Sequence, residues 1–599
     1  MSRIADIENR ISELPEGYVT HKVIHNKPYY YLQWVSGGKN LSRTLNEEEA
    51  EILKSQIEER KKLEKELKLL KKQTPVLKDI SYELNSSITH GEVLKTFIES
   101  ARQFQSRDCI ARLDKYVKGP AQDKVCVVYG LRRTGKTTML KHEMLTFTEE
   151  QLTHTAYIKA RTTDTISSIN KDIKLLQSAG FKYLFIDEVT LMEDFIDGAS
   201  LFSDVYAACG MKIILSGTDS LGFYFAEGEE LYDRAVMIHT TFIPYREHSR
   251  LLGIKNIDEY IRYGGTLKAS ELDFENADIN TEAASFRDDE TTRRYIDTAI
   301  CKNIQHSLKC YQNGRYFRHL KELYDKNELT NAINRIIEDE NHQFTAEIIT
   351  RLFSSHTLGS TAQMLRSAKD ESVITDILDE IDKSQIINTL KKILEIKEKE
   401  EQQIGITDVH AAEIKQYLKH LDLIETLEID TINGSRLEYT IFTQPGMRFC
   451  QAQALVYSMM KDNQIKNLDN QIIKNITDKI IQSVLGHMLE DIVIYETKKK
   501  LMPKRFDNDK EVIQIRFENH EYDMVIYDTR TNTCECYEIK HSSERSEKQY
   551  RHLINEDFVA ATEKKFGKIT KRCVLYKGET IIEENGVEYK NVEEYLCEL

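Results

Sequence analysis

The chain has 599 residues, 40% of them apolar and 30% charged, with 83 Lys and Arg against 98 Asp and Glu and a net charge of −15. At roughly 150 residues per domain this length excludes a single domain, and the composition excludes both a membrane-embedded and a disordered chain. The acidic total excludes a globally basic nucleic-acid coat, so any contact with nucleic acid has to be local.

The 10 Cys are scattered, and the close pair Cys534 and Cys536 has no His or second Cys pair beside it, which argues against zinc and for a reduced, cytoplasmic location. The opening MSRIADIENRISELPEG has no apolar run of export-signal length, and no stretch approaches the ~18 residues that span a bilayer. With 7 Pro and 25 Gly there are few linkers, so domain boundaries are set by changes of pattern.

Residues 1–45 form a small β element: Gly17 to Leu45 alternate β-branched and aromatic residues with polar ones, and Asn26-Lys27-Pro28 and Gly37-Gly38 are turn signals, predicting two or three antiparallel strands. Tyr29, Tyr30, Tyr31 and Trp34 beside Lys27, Lys39 and Arg43 are suited to stacking on bases, although packing against the next helix is the preferred reading. The segment resembles the small N-terminal β-sheets of phage-type integrases. Residues 46–75 read as a charged helix with Leu53, Ile57, Leu63, Leu67 and Leu70 at helical spacing, ended by Thr74-Pro75 and assigned no chemistry.

From 91 to 265 strand-like runs (Val125 to Tyr129, Thr155 to Ile158, Tyr183 to Ile186, Lys212 to Leu215) alternate with helical segments, the pattern of a parallel sheet covered on both faces. Residues 266–400 comprise an acidic, Asn-rich insertion and a helical region. Residues 401–450 read as winged-helix-like: a helix from Ala411 to Leu421, then two β-prone runs around Asn433-Gly434, with a packing role preferred over DNA binding because Glu413, Asp422, Glu425, Glu428, Asp430 and Glu438 crowd it. A last α/β domain is expected over 475–599.

The segment from Gly130 to Thr137 carries G-x4-G-K-T directly after an apolar strand and before a helix beginning near Thr138. Glycines let such a loop curl until its N–H groups converge on phosphate, while Lys136 reaches the terminal phosphates and Thr137 offers its hydroxyl to Mg2+. Gly130, Gly135, Lys136, Thr137 and Thr138 are the expected nucleotide-binding set. Some 50 residues on, a buried strand ends in Asp187 and Glu188, the first suited to Mg2+ and the second to activating water as general base. A further strand ends in Ser216-Gly217-Thr218-Asp219, where Thr218 is the chosen γ-phosphate sensor with Ser216 and Asp219 as competitors. Arg234 follows as a trans-acting or sensor arginine, a surface or core pairing being the alternative.

Near the C-terminus, Glu490 falls in a helix, Asp523 in a strand and Glu538 and Lys540 in the next. Residues two apart on a strand share a face, so Glu538 and Lys540 project together and a hairpin at 528–533 brings Asp523 beside them. Asp523 and Glu538 are then suited to Mg2+ and Lys540 to handling the attacking water.

The order of these motifs resembles prokaryotic AAA+-type P-loop ATPases of the archaeal-ATPase kind with a DUF4143-like C-terminal region, and the Asp523, Glu538, Lys540 set, with Glu490 as first-helix acid, resembles the PD-(D/E)XK nuclease core. The resemblance implies a multidomain α/β protein: a P-loop AAA+-like core, helical lid, winged-helix-like region and C-terminal restriction-endonuclease-like domain, using ATP and Mg2+. The chain departs from the family at Leu267, where Pro is usual, and at Asp233, where Gly usually precedes the arginine, which weakens the transfer to Arg234. Two functions compete: an ATPase coupled to a nuclease acting on nucleic acid, DNA before RNA, in genome maintenance or defence; and a regulatory ATPase switch whose C-terminal domain is an inactive scaffold. A homo-oligomer is compatible with both.

Overall fold

The computed structural model describes residues 10–73 except 25–26 and 37–38, together with Ile7; 84–267 except 121–122, 219, 229 and 255; and 285–354 except 311–316. It further describes 405–503 except 432–434 and 462–469, 508–599 except 518–519, and two short strands, β10 and β11 (Glu271–Leu272 and Ile279–Asn280). The sensor competitor Asp219, the wing turn Asn433-Gly434 and the helical prediction over 355–400 lie outside the described residues.

At the N-terminus, β1 (Tyr18–Ile24), β2 (Lys27–Ser36) and β3 (Lys39–Leu45) form an antiparallel sheet in sequence order. Tyr30, Leu32 and Trp34 alternate along β2 with Tyr29, Tyr31 and Gln33, and the helix Glu47–Gln73 packs across β1 and β2, burying Leu45, Ala50 and Ile57.

The central sheet contains β4 (Ile88–His90), β5 (Val125–Tyr129), β6 (Thr155–Lys159), β7 (Tyr183–Asp187), β8 (Lys212–Gly217) and β9 (Ala235–His239) in the order β4-β6-β7-β8-β5-β9. All neighbours are parallel except β4, which caps β6 antiparallel. Val125 to Val128, Leu184 to Ile186 and Ile213 to Leu215 are wholly buried, as expected of strands covered on both faces, which read as continuous apolar runs. Because β5 lies centrally between β8 and β9, the loop leaving its C-terminal end sits above the sheet with the ends of β7 and β8 beside it.

Helices Asp289–Tyr295, Lys302–Cys310, Arg318–Asp325 and Leu329–Ser354 bring Tyr295, Ile304, Leu320, Ile333 and Ile337 into the same core as the sheet, joined by Ile414, Tyr417 and Leu418 of helix Asp408–His420.

The region expected to be a winged helix departs from a self-contained module. Its hairpin, β12 (Ile424–Thr431) and β13 (Arg436–Phe442), continues into the C-terminal sheet, because β12 pairs parallel with β14 (Lys510–Arg516) through Ile429 to Thr431. Pairing removes an exposed strand edge, and no sequence motif encodes which distant strand will supply the partner. The sheet runs on through β15 (Glu521–Asp528), β16 (Thr533–Ile539), β17 (Lys568–Tyr576), β18 (Ile581–Ile582) and β19 (Glu588–Asn591), in the order β13-β12-β14-β15-β16-β17-β19-β18. Helix Asn470–Leu501 packs on it, and its core includes Tyr245, Tyr260 and Ile261 from the segment after β9. No helix among the described residues is long and apolar enough to cross a membrane.

Candidate nucleotide site and C-terminal carboxylate centre

The loop between β5 and helix Lys136–Leu145 is held by residues far from it in sequence. Gly130 has φ +146, and a Cβ there would meet Thr240 Oγ1 at 2.6 Å and Thr241 N at 2.9 Å; Gly135, at φ +84, begins the helix. Both glycines are needed for the curl. Beneath the loop, Arg107 is buried and ion-paired with buried Glu247 (Nε to Oε1 2.6 Å), and donates to the carbonyls of Thr134, Thr240 (3.0 Å) and Phe242 (3.0 Å). Leu131 N donates to Thr241 Oγ1 (3.1 Å), so the loop is braced before anything binds.

Lys136 is buried, its Nζ donating to the carbonyls of Gly130 (2.8 Å) and Leu131 (2.9 Å). Burial pushes its ammonium down to about 8, with Glu188 and Asp187 pulling the other way. Thr137 Oγ1 donates to Asp187 Oδ2 (2.7 Å), and Thr138 lies half-buried in the same first turn.

Asp187, at the end of β7, is buried and also accepts from Tyr157 OH (2.9 Å), the Ser216 hydroxyl and the N–H of Glu188 (3.0 Å). Glu188 takes a left-handed backbone, φ +56, uncommon for a side-chain-bearing residue and a conformation that persists only where its surroundings impose it. Its carboxylate accepts from Thr218 Oγ1 (3.2 Å) at the end of neighbouring β8. Ser216 and Thr218 thus divide the work expected of one sensor: Ser216 orients Asp187 and Thr218 orients Glu188. Asn303, from the helical region, fixes the Thr218 carbonyl (2.9 Å), a support that no local motif announces.

The donor set fits a nucleotide with a divalent cation: a curled loop, a buried cation, and a hydroxyl and carboxylate already side by side. Arg234 stands elsewhere. Its backbone carbonyl accepts from Val125 N (2.9 Å), at the N-terminal end of β5, and its guanidinium pairs with Asp204 (2.7 Å), both half-exposed. A five-residue strand, about 16 Å, separates it from the phosphate loop, and its pairing with Asp204 is the surface pairing that stood as the alternative to a sensor or trans-acting role.

In the C-terminal sheet β15 and β16 pair antiparallel, Met524 opposite Tyr537, which sets Asp523 beside Glu538. Lys540 Nζ lies 2.9 Å from Asp523 Oδ2 and 2.7 Å from Glu538 Oε2, and Asp523 also accepts from Ile539 N (2.7 Å). Burial and the charge of Asp523 raise the Glu538 carboxyl well above its ordinary range against the pull of Lys540. Burial opposes the Lys540 charge, but Asp523, Glu538 and Glu490 outweigh it and hold the ammonium well above its usual value. Glu538 Oε1 is buried with no hydrogen-bond partner among the described residues.

Glu490 pairs with His487 one turn back on its own helix (3.0 Å) and lies close enough to Asp523 and Lys540 to feel the charge of both. Among the described residues no group of three or more His, Cys, Asp and Glu side chains is arranged to hold a metal, and the unpartnered oxygen of Glu538 is compatible with a cation.

Residues 122–248 match a family described as an AAA domain, and residues 2–54 match a domain of unknown function, DUF6788. The AAA-domain match covers the stretch that holds Gly130 to Thr137, Asp187, Glu188, Thr218 and Glu247, while Arg107 and Asn303 lie outside it. No curated protein matches the sequence. Among solved structures, Saccharomyces cerevisiae Hsp104 bound to casein is 14% identical over 28% of this chain and 33% of its own, with a TM-score of 0.22. The Aeropyrum pernix ORC1 protein in complex with DNA is 11% identical over 60% of this chain and 93% of its own, with a TM-score of 0.21. The chain thus spans about a third of the length of that Hsp104.

Proposed function

We propose that this protein hydrolyses ATP at the β5 loop and couples that cycle to a C-terminal metal-dependent nuclease-like centre acting on nucleic acid, DNA before RNA. The observation that carries the ATPase half is the meeting of three element ends at one point: Lys136 and Thr137 after the β5 loop, Asp187 and Glu188 at the end of β7, and Thr218 after β8 beside Glu188. Bound Mg2+, held by Thr137 and Asp187, supplies charge neutralisation on the phosphates. Lys136 swings from the loop carbonyls to the terminal phosphates, exchanging neutral acceptors for charged ones. Glu188, oriented by Thr218, accepts the proton of the attacking water, and the backbone N–H groups of the loop hold the developing charge. Arg234 acts, on this reading, on the site of an adjoining copy.

At the C-terminal centre a divalent cation held by Asp523 and Glu538 supplies polarisation of a phosphodiester and its water. Lys540 has to leave the two carboxylates to admit it, and is then free to stabilise the oxyanion. A second reading, a regulatory ATPase with an inactive scaffold, is favoured by that same ion pair. ATP turnover and strand cleavage, assayed together on single- and double-stranded DNA and RNA with Mg2+ or Mn2+, separate the two: turnover with cutting supports the first, turnover without cutting the second, and no turnover overturns both.

A further inference from the structure

The segment from Thr240 to Leu267 leaves the phosphate loop and returns to it. At its start Thr241 takes the Leu131 N–H and Glu247 takes Arg107; at its end Leu267 N donates to Arg133 O (2.8 Å), and Leu267 Cδ1 lies 2.8 Å from where a Cβ on Gly135 would stand. Between these anchors the C-terminal domain grips the strap three times. Glu496, buried on the helix that carries Glu490, accepts from Tyr245 N (2.7 Å) and Tyr260 OH (3.3 Å). Glu593 accepts from Ile257 N (2.9 Å). Asp258 takes both His541 Nε2 (2.6 Å) and Lys577 Nζ (2.7 Å), and His541 directly follows Lys540 while Lys577 N is bonded to Ser542 O (2.8 Å).

Movement of the phosphate loop therefore has a continuous bonded route to the backbone of the carboxylate centre. Each link is a hydrogen bond or ion pair made by buried or half-buried groups, and a close-packed interior transmits displacement rather than absorbing it. Burial works against the Asp258 carboxylate, but the hydrogen bonds from His541 and Lys577 hold it down to about 2, so Asp258 stays ionised through the neutral range.

We infer that the strap 240–267 couples the two centres, so that nucleotide on the β5 loop changes the local stability of β16 and of the Lys540–Ser542 turn, with Asp258 as the positioning residue. The inference rests on the nucleotide-binding reading above, and it needs no nuclease activity. Coupling between sites commonly amounts to about 5- to 150-fold.

Hydrogen exchange on the full chain with and without ATPγS and Mg2+ tests it. In wild type the amides of Gly130 to Thr137 and those of Ile539 and Lys540 should both slow, the distal pair by at least about fivefold. In Asp258→Asn, and independently in Lys577→Met, the loop should still slow while the distal pair no longer responds. A protected loop with unchanged β16 in wild type, or an undiminished distal response in both variants, overturns the coupling alone. An unprotected loop overturns the nucleotide-binding reading and the coupling with it.

Discussion

Both candidate centres set a lysine near two acids, yet they arrange them in opposite ways. At the β5 loop, Lys136 is bonded to main-chain carbonyls while hydroxyls satisfy Asp187 and Glu188, so the cation and the acids remain separate. At the C-terminal centre, Lys540 bonds both acids itself. A ligand enters the first by replacing weak neutral partners; at the second a cation has to displace an ion pair, whose attraction is strongest where burial is deepest. The difference teaches that residue type alone does not distinguish a site prepared for ligand from one that holds itself closed.

The sharpest way to break the comparison is to remove each centre's decisive group and read both activities. Lys136→Ala should bring ATP turnover below detection, because the loop offers no other buried cation to the terminal phosphates; wild-type turnover would end the assignment. Asp523→Ala should remove metal-dependent cleavage while leaving ATP turnover in the absence of nucleic acid within about twofold of wild type, since Glu538 alone under-ligates a cation. Cutting at the wild-type rate by this variant would remove the centre from consideration.

Glu188→Gln keeps shape and the contact from Thr218 but cannot take a proton. It should slow ATP hydrolysis by about 10²- to 10⁴-fold, with nucleotide affinity, measured by equilibrium binding, unchanged within threefold or so. A smaller loss is expected for Thr218→Ala, about tenfold in kcat with KM unaltered, because it loosens the orientation of Glu188 without removing it.

The smallest effect concerns stability. Burial pushes the Glu496 carboxyl up to about 8, against the hydrogen bonds from Tyr245 and Tyr260. A folded-state acid with a raised value holds a proton that the unfolded chain, near 4.3, has released, so its contribution is complete below that lower value and is lost as pH rises to about 8. Denaturant titrations of wild type should therefore show stability falling across about pH 4.5 to 8, and Glu496→Gln, which stays neutral, should flatten that slope. An equal slope in both would place the titration elsewhere.

The features legible in the sequence are those encoded over short distances. The spacing from Gly130 to Thr137 dictates a loop that curls onto the following helix, the apolar run ending in Asp187 and Glu188 dictates a buried strand with acids at its tip, and the two-residue period of Glu538 and Lys540 dictates a shared face. What escaped the sequence is carried by partners far apart along the chain. Arg107 and Glu247 are 140 residues apart, Asn303 and Thr218 are 85 apart, and Asp258 and His541 are 283 apart. None belongs to a periodic pattern, and each becomes meaningful only when packing removes water and obliges a buried charge or carbonyl to find a partner.

The same reason explains the displaced expectations. Arg234 follows the sensor strand at a suggestive interval, but the direction of β9 places it at the opposite end of the sheet from the phosphate loop. Glu490 feels the charges of Asp523 and Lys540 as its residue type suggests, and packing adds His487 of its own helix as a partner that the spacing did not announce. The hairpin of residues 424–442 has the local pattern of a wing, and only the exposed edge of β14, supplied by a segment some 80 residues later, decides that it becomes part of the C-terminal sheet. Local chemistry is set by the order of side chains, whereas the identity of each buried group's partner is set by which surfaces the folded chain brings out of water together.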